Sequence, residues 1–273
     1  MAELRFAQGV LRISEQRAVG EIASLASILS ADGSRHEVGA ERLVETDDGA
    51  RLEGAGGGFG AVATWRRAAT HWDVELRIHA QRDAEAAVRI ELRLAGGSAR
   101  RWMIPGCFYG GTQMPGSRVL VPRWDPDGGD AEQLVSDAWS FRADRAALPA
   151  VMAWTEETFA ALCCDEVGPI GPQGIGFRGT PEMTMIWIDA PYREEPVTYA
   201  DAGVAAPPRR RFHAWSAGDE ATLHFSVAVG APDPHAYAPF ARAMREARSA
   251  DHPLNPWVSI ADAADLAAEG LLA

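Results

Sequence analysis

The sequence has no lysine and a single asparagine, Asn255. A bias this general reads as GC-rich coding rather than chemistry. A phosphate-binding P-loop is absent, and so are the G-x-S-x-G nucleophile elbow and the H-E-x-x-H zinc pair. Cysteine is scarce: Cys107, Cys163 and Cys164 are odd in number and two are adjacent. No disulfide framework or zinc ligand set follows from that spacing, and the three read as small buried apolar side chains. No uninterrupted apolar run is long enough to cross a bilayer, and the opening MAELRFAQGV lacks the basic-then-apolar order of a signal peptide, so the expected location is cytoplasmic. Positive charge is also in deficit, 26 Lys+Arg against 38 Asp+Glu, a net charge of -12. Nucleic acid and membrane surfaces, which need a positive footprint, are therefore not expected as partners, whereas neutral ligands are compatible.

What is present is a chain of 273 residues, 47% apolar, enough for one large β domain or two smaller ones. Alternation with period two recurs. In HWDVELRIH, Trp72, Val74, Leu76 and Ile78 point one way and His71, Asp73, Glu75, Arg77 and His79 the other; Val88, Ile90, Leu92 and Leu94 repeat the pattern. Similar runs near 4–13, 20–29, 59–66, 149–155, 157–165, 182–190 and 219–229 predict half-buried antiparallel strands. MTMIWI (183–188) is apolar on both faces, which suits a central strand. Of nine tryptophans, Trp72, Trp154 and Trp187 are expected between layers. Helical period enters only at Phe240, Ala243, Met244 and Ala247, after Pro239, and again in the tail, where Ser259 can cap a helix bearing Ile260, Ala263, Ala264 and Ala267.

Motifs that invite chemistry are weak here. GIGFRG (174–179) matches G-x-G-x-x-G, but lacks the strand before and helix after that a dinucleotide site needs, so it is read as a loop. WDPDGGD (124–130) groups Asp125, Asp127 and Asp130 without the spacing of an EF-hand, and is read as a solvated turn. His71 and His79 read as part of an exposed polar face, and His213 and His224 as core histidines with one hydrogen bond. Glu156-Glu157 and Glu194-Glu195 read as turn or edge charges. Residues 101–137 are rich in Gly and Pro without clear period and are expected as loops. Within them Phe108, Tyr109 and Trp124, with Arg123, supply flat faces and donors that could hold a sugar.

The blocks IPGCFYGGTQM, WSFRADRAALPAVMAWTEETFAALCCDE, GIGF, ATLHFSVAVG and PWVSIADAADLAAEGLL, in this order, resemble the N-terminal β-supersandwich domain of six-hairpin α/α-barrel glycosidases, a domain similar to galactose mutarotase. The resemblance implies a mainly β, antiparallel two-layer supersandwich over residues 1–250 with short C-terminal helices near 235–248 and 259–270. It implies that 251–273 form a linker and lead-in helix to a downstream catalytic α/α-barrel. The expected role is an accessory, non-catalytic domain of a glycoside hydrolase, with that barrel and carbohydrate as partners and no cofactor or metal. Function is expected in the segment 105–145, with Phe108, Tyr109, Arg123, Trp124, Trp139 and Arg142 as carbohydrate-binding or domain-docking residues. Two other readings stay open, a stand-alone sugar mutarotase or epimerase and a purely structural domain. Mutarotases carry an Asn-His strand motif, which this sequence lacks.

Overall fold

A computed structural model describes residues 3–111, 138–180, 182–193, 200–201, 204–205 and 211–251. The first nine strands are β1 (Glu3–Ala7), β2 (Val10–Glu15), β3 (Ala18–Ile22), β4 (Ala26–Ser30), β5 (Arg35–Thr46), β6 (Gly49–Gly56), β7 (Phe59–Arg67), β8 (Trp72–Ala80) and β9 (Ala84–Leu94). There follow β10 (Arg101–Ile104), β11 (Phe108–Gly111), β12 (Ala138–Arg142), β13 (Ala150–Trp154) and β14 (Phe159–Cys164). A short ribbon of β15 (Val167–Gly168) and β16 (Gly171–Pro172) leads to β17 (Gly174–Gly179) and β18 (Thr184–Ala190). A second ribbon, β19 (Ala200–Asp201) and β20 (Val204–Ala205), precedes β21 (His213–Trp215), β22 (Glu220–Gly230) and one helix, α1 (Tyr237–Asp251). Among the described residues no helix is long and apolar enough to cross a membrane.

The described pairings are antiparallel and build two layers. In the first sheet β9 is central. One of its edges carries β3 and β4, with β2 and β1 beyond β3, and the other carries β21 and β18, followed by β17 and β12. The second sheet runs β11-β10-β13-β14-β22-β8-β7-β6-β5. β5 belongs to both: residues 35–38 pair with β4 in the first sheet, a register shift falls between Ala40 and Arg42, and the remainder pairs with β6 in the second. A bulge of this kind bends a strand and lets it change layer. Inward side chains from the two sheets, among them Ile13, Ile28, Ile90, Leu92 and Ile188 against Leu52, Trp65, Leu76, Leu162 and Val227, make one continuous core. α1 adds a third layer, laying Phe240 and Met244 on Met103, Met152, Trp154 and Phe159 on the outer face of the second sheet.

The expected class is therefore observed: mainly β, antiparallel, two-layered, with a helix close to the expected 235–248. The second expected helix, 259–270, lies outside the described residues. Several local expectations are corrected. The run 4–13 is a hairpin, because Gln8 and Gly9 both take positive φ (52° and 79°), the pair of values a tight two-residue turn needs. β5 is mostly exposed and β6, rich in glycine, buries only Ala50 and Leu52, so no sustained apolar period marks either strand. The stretch 101–111 is not irregular but contributes β10 and β11. GIGFRG is a strand: Ile175 and Phe177 point into the core. A Cβ at Gly174 or Gly176 on the other face would come within 2.6 Å of the Tyr192 ring or 2.4 Å of the Trp187 ring. β18, not a helix, comes next, so no helix N-terminus is present to receive a pyrophosphate.

Parity also redistributes the tryptophans. Trp72 lies between the sheets, Trp154 lies between the second sheet and α1, and Trp187 lies on the outer face of the first sheet beside Met185. All three are buried, but by different layers, since a strand alternates faces residue by residue. Cys163 and Cys164 are buried and Cys107 is half-buried, all three as free thiols.

Candidate functional site

The outer face of the first sheet holds charged side chains that are nearly as buried as the core. The strand register sets Ser27, Arg89, Asp189, Gly174 and Arg142 in one cross-strand row, from β4 through β9, β18 and β17 to β12. The adjacent row is Glu91, Trp187, Gly176 and Ser140. Arg89 donates in bidentate fashion to Asp189, at 2.7 Å from Nε and 2.9 Å from Nη2. Trp187 Nε1 donates to the same carboxylate at 3.1 Å, and the Arg89 guanidinium lies 4.5 Å above the Trp187 ring. Planar, forked guanidinium geometry is what makes such stacking and double donation compatible. The two glycines of β17 leave the space that the Trp187 and Tyr192 rings occupy.

Arg35, from the part of β5 still in this sheet, extends the network. Its Nη1 and Nη2 donate to Glu91 at 2.9 and 2.7 Å, Nη2 also to Ser27 Oγ at 2.9 Å, and Nε to Glu37 at 2.7 Å. Burial opposes the charge on Arg35, but the Glu91 and Glu37 carboxylates outweigh it and the pKa is raised. Burial likewise opposes charge on Glu37, yet donation from Ser24, Arg35 and Ser27 lowers its pKa. A cavity of about 110 Å³ opens beside Arg35, Glu37 and Glu91, room for ordered water rather than a sugar ring.

Of the six residues singled out in the sequence, Trp139 and Arg142 do not lie together. Trp139 and Arg142 sit on β12, the outermost described strand at that end of the first sheet, on opposite faces. Trp139 is half-buried between layers, its ring 6.2 Å from Phe141 and 6.5 Å from Phe177, which in turn stacks on Trp102 at 4.3 Å. Arg142 faces outward and donates to both oxygens of Asp144, at 3.0 and 2.5 Å. Phe108 and Tyr109 lie on β11, the strand at the far end of the second sheet, opposite Ile104 and Met103. Arg123 and Trp124 lie outside the described residues, as do Asp125, Asp127 and Asp130. Of the histidines, His224 is exposed rather than a core residue, and His71 is largely covered rather than part of an open face, its side chain 9% exposed.

The network of Arg35, Arg89, Glu91, Trp187 and Asp189 was not picked out by sequence reasoning. One signal was available: Asp189 occurs in a strand whose neighbours are apolar on both faces, so a charge there has to be covered. Within the network each carboxylate already accepts charged N–H donors on both oxygens, which suits a rigid supporting role better than nucleophilic attack or proton transfer. Among the described residues no group of three or more His, Cys, Asp or Glu side chains could hold a metal ion.

No family model matches this sequence, and no curated protein matches it significantly. Among solved structures, the chain is similar to the alpha-galactosidase from Lactobacillus brevis, with TM-score 0.43 and 10% identity over 81% of this chain and 31% of that one. It is similar to the galactosidase domain of an alpha-galactosidase-sucrose kinase, with TM-score 0.44 and 7% identity over 86% of this chain and 42% of that one. It is also similar to a galactose mutarotase related enzyme from Lactobacillus acidophilus, with TM-score 0.37 and 8% identity over 86% of this chain and 99% of that one. The chain thus spans less than half the length of the two galactosidase structures.

Proposed function

We propose that this chain is an accessory, carbohydrate-related domain that works beside a catalytic partner domain and binds or positions rather than reacts. The observation that carries the reading is the outer face of the first sheet, where Asp189 and Glu91 are each clamped by a guanidinium. The clamped carboxylates, the Arg89 guanidinium and the indole, all four groups buried, make a stiff polar layer with its lone pairs largely committed, which fits a supporting rather than a reacting role. Residues 105–145 are the segment through which this domain meets sugar or its partner, with Phe108, Tyr109, Arg123, Trp124, Trp139 and Arg142 as the contacts. Residues 251–273 serve as the connection to the partner domain. The setting is cytoplasmic, in keeping with three free thiols.

The test is to titrate the purified chain with mono- and oligosaccharides by calorimetry, following anomer interconversion by polarimetry and glycoside cleavage by release of a chromophore. Binding without turnover is expected, and Tyr109→Ala or Trp124→Ala should weaken it with the melting temperature nearly unchanged. Saturable hydrolysis or mutarotation, abolished by replacing one carboxylate of this chain, would overturn the accessory role.

A further inference from the structure

On the opposite side of the molecule α1 lies across the second sheet, and beside its C-terminal half a cleft of about 450 Å³ stays open against β7, β8, β14 and β22. Its floor is a cross-strand row in which Cys163, Ser226, Asp73 and Arg66 stand side by side. The next row sets His224 opposite Glu75. Asp73 Oδ1 accepts from Ser226 Oγ at 2.7 Å and lies 3.1 Å from His71 Nε2. Arg248, on the helix, closes one end, donating to Cys163 Sγ at 3.0 Å and to the Cys164 carbonyl at 2.5 Å. These contacts hold the floor still.

What they leave over is informative. Among the described residues, the side chains of Arg66, His224 and Asp165 line this cleft with no hydrogen bond or ion pair of their own. Arg66 is a donor, Asp165 an acceptor, and a neutral His224 offers one of each. A net anion entering here would meet Asp73, Glu75 and Asp165, and a net cation would meet Arg66 and Arg248. Hydroxyl groups, each both donor and acceptor, satisfy the two kinds of side chain without either repulsion, and Ala243 and Met244 of α1 offer an apolar wall to C–H groups. The volume lies in the range of small-molecule sites.

We propose that the cleft beside α1 binds a small uncharged polyhydroxylated ring, with Arg66 and His224 donating to its hydroxyls and Asp165 accepting from them. None of its described lining residues belongs to the outer face of the first sheet, and the proposal does not rest on the function proposed above. The test uses the full chain. Imidazole NMR signals, with His224 assigned through His224→Asn, are followed while D-glucose, myo-inositol, inorganic phosphate or ethylammonium is added. A saturable His224 shift with D-glucose or myo-inositol is expected. Arg66→Ala and Asp165→Asn, both at the surface, should each weaken it about tenfold, the cost of one hydrogen bond to a charged group, with circular dichroism unchanged. Ala247→Trp should abolish it by filling the cleft. The assignment is wrong if only phosphate or ethylammonium shifts His224, if no probe does, or if Arg66→Ala and Asp165→Asn leave polyol affinity unchanged.

Discussion

Asp189→Asn keeps the shape of the side chain and removes its charge from beneath a guanidinium whose own side chain is 8% exposed. Removing one partner of a buried ion pair costs about 3–5 kcal/mol, because the remaining charge is neither solvated nor compensated. Two features of the site soften the loss. Glu91 Oε1 stands 4.0 Å from Arg89 Nη1, and the Trp187 ring stays beneath the guanidinium, a contact worth ~0.5–2 kcal/mol. Glu91 is already shared with Arg35, so its help is partial. The expected cost is thus at the low end, ~3 kcal/mol. Replacing both partners with apolar residues of similar size, Arg89→Met with Asp189→Leu, should return stability to within ~1 kcal/mol of the parent. Urea unfolding of the parent, Asp189→Asn, the single variants Arg89→Met and Asp189→Leu, and the double variant measures the cycle, provided the slope with denaturant stays constant. The reasoning is refuted if Asp189→Asn costs under ~1 kcal/mol, or if the double variant is as unstable as the two single losses added together.

Gly176→Ala would put a methyl 2.4 Å from the Trp187 ring and 2.5 Å from the Trp139 carbonyl; a loss of about 1–3 kcal/mol in urea melts is expected, and neutrality would mean that the indole moves freely. Phe240 is 1% exposed and anchors α1 on the second sheet, so Phe240→Ala should cost ~3–5 kcal/mol, with ellipticity at 222 nm lost before the near-ultraviolet signal; a single coincident transition would count against separate docking of the helix. The Asp73 pKa is lowered, first by its hydrogen bond with His71 and further by Ser226, against burial. A depressed folded-state pKa contributes stability above the unfolded value, about 3.9, and that stability is lost as pH falls through the folded value. Ser226→Ala should therefore raise the Asp73 carboxyl titration seen by carbon-13 NMR and shrink the stability lost on acidification below about pH 4; an unmoved titration would show that the hydroxyl does not hold the charge.

The strands with alternating burial were legible because a half-buried strand writes its environment into every second residue: β8 shows it from Trp72 to Ile78. Strands without that asymmetry were harder to place. β5 is mostly exposed, β6 buries only Ala50 and Leu52, and in β17 the alternation is between glycine and Ile175 or Phe177, which reads as a loop until the rings that fill the glycine side are seen. The proposed contacts at 105–145 came from composition, and composition does not say which face of β12 looks inward. Trp139 and Arg142 consequently part company.

By itself the sequence determined the antiparallel β class, the inward face of β8, β9 and β22, the position of α1 and the absence of lysine chemistry, because each is a property of neighbouring residues. Only the tertiary structure decided that the second face of β9 is buried as well. Arg89 and Asp189 are 100 residues apart, and their pairing depends on β18 lying beside β9 in one particular register. The cleft beside α1 has the same origin. Asp73, Ser226, Arg66 and Cys163 become neighbours only when four strands align, since hydrogen bonding across a sheet is set by backbone register and leaves no local trace in the chain.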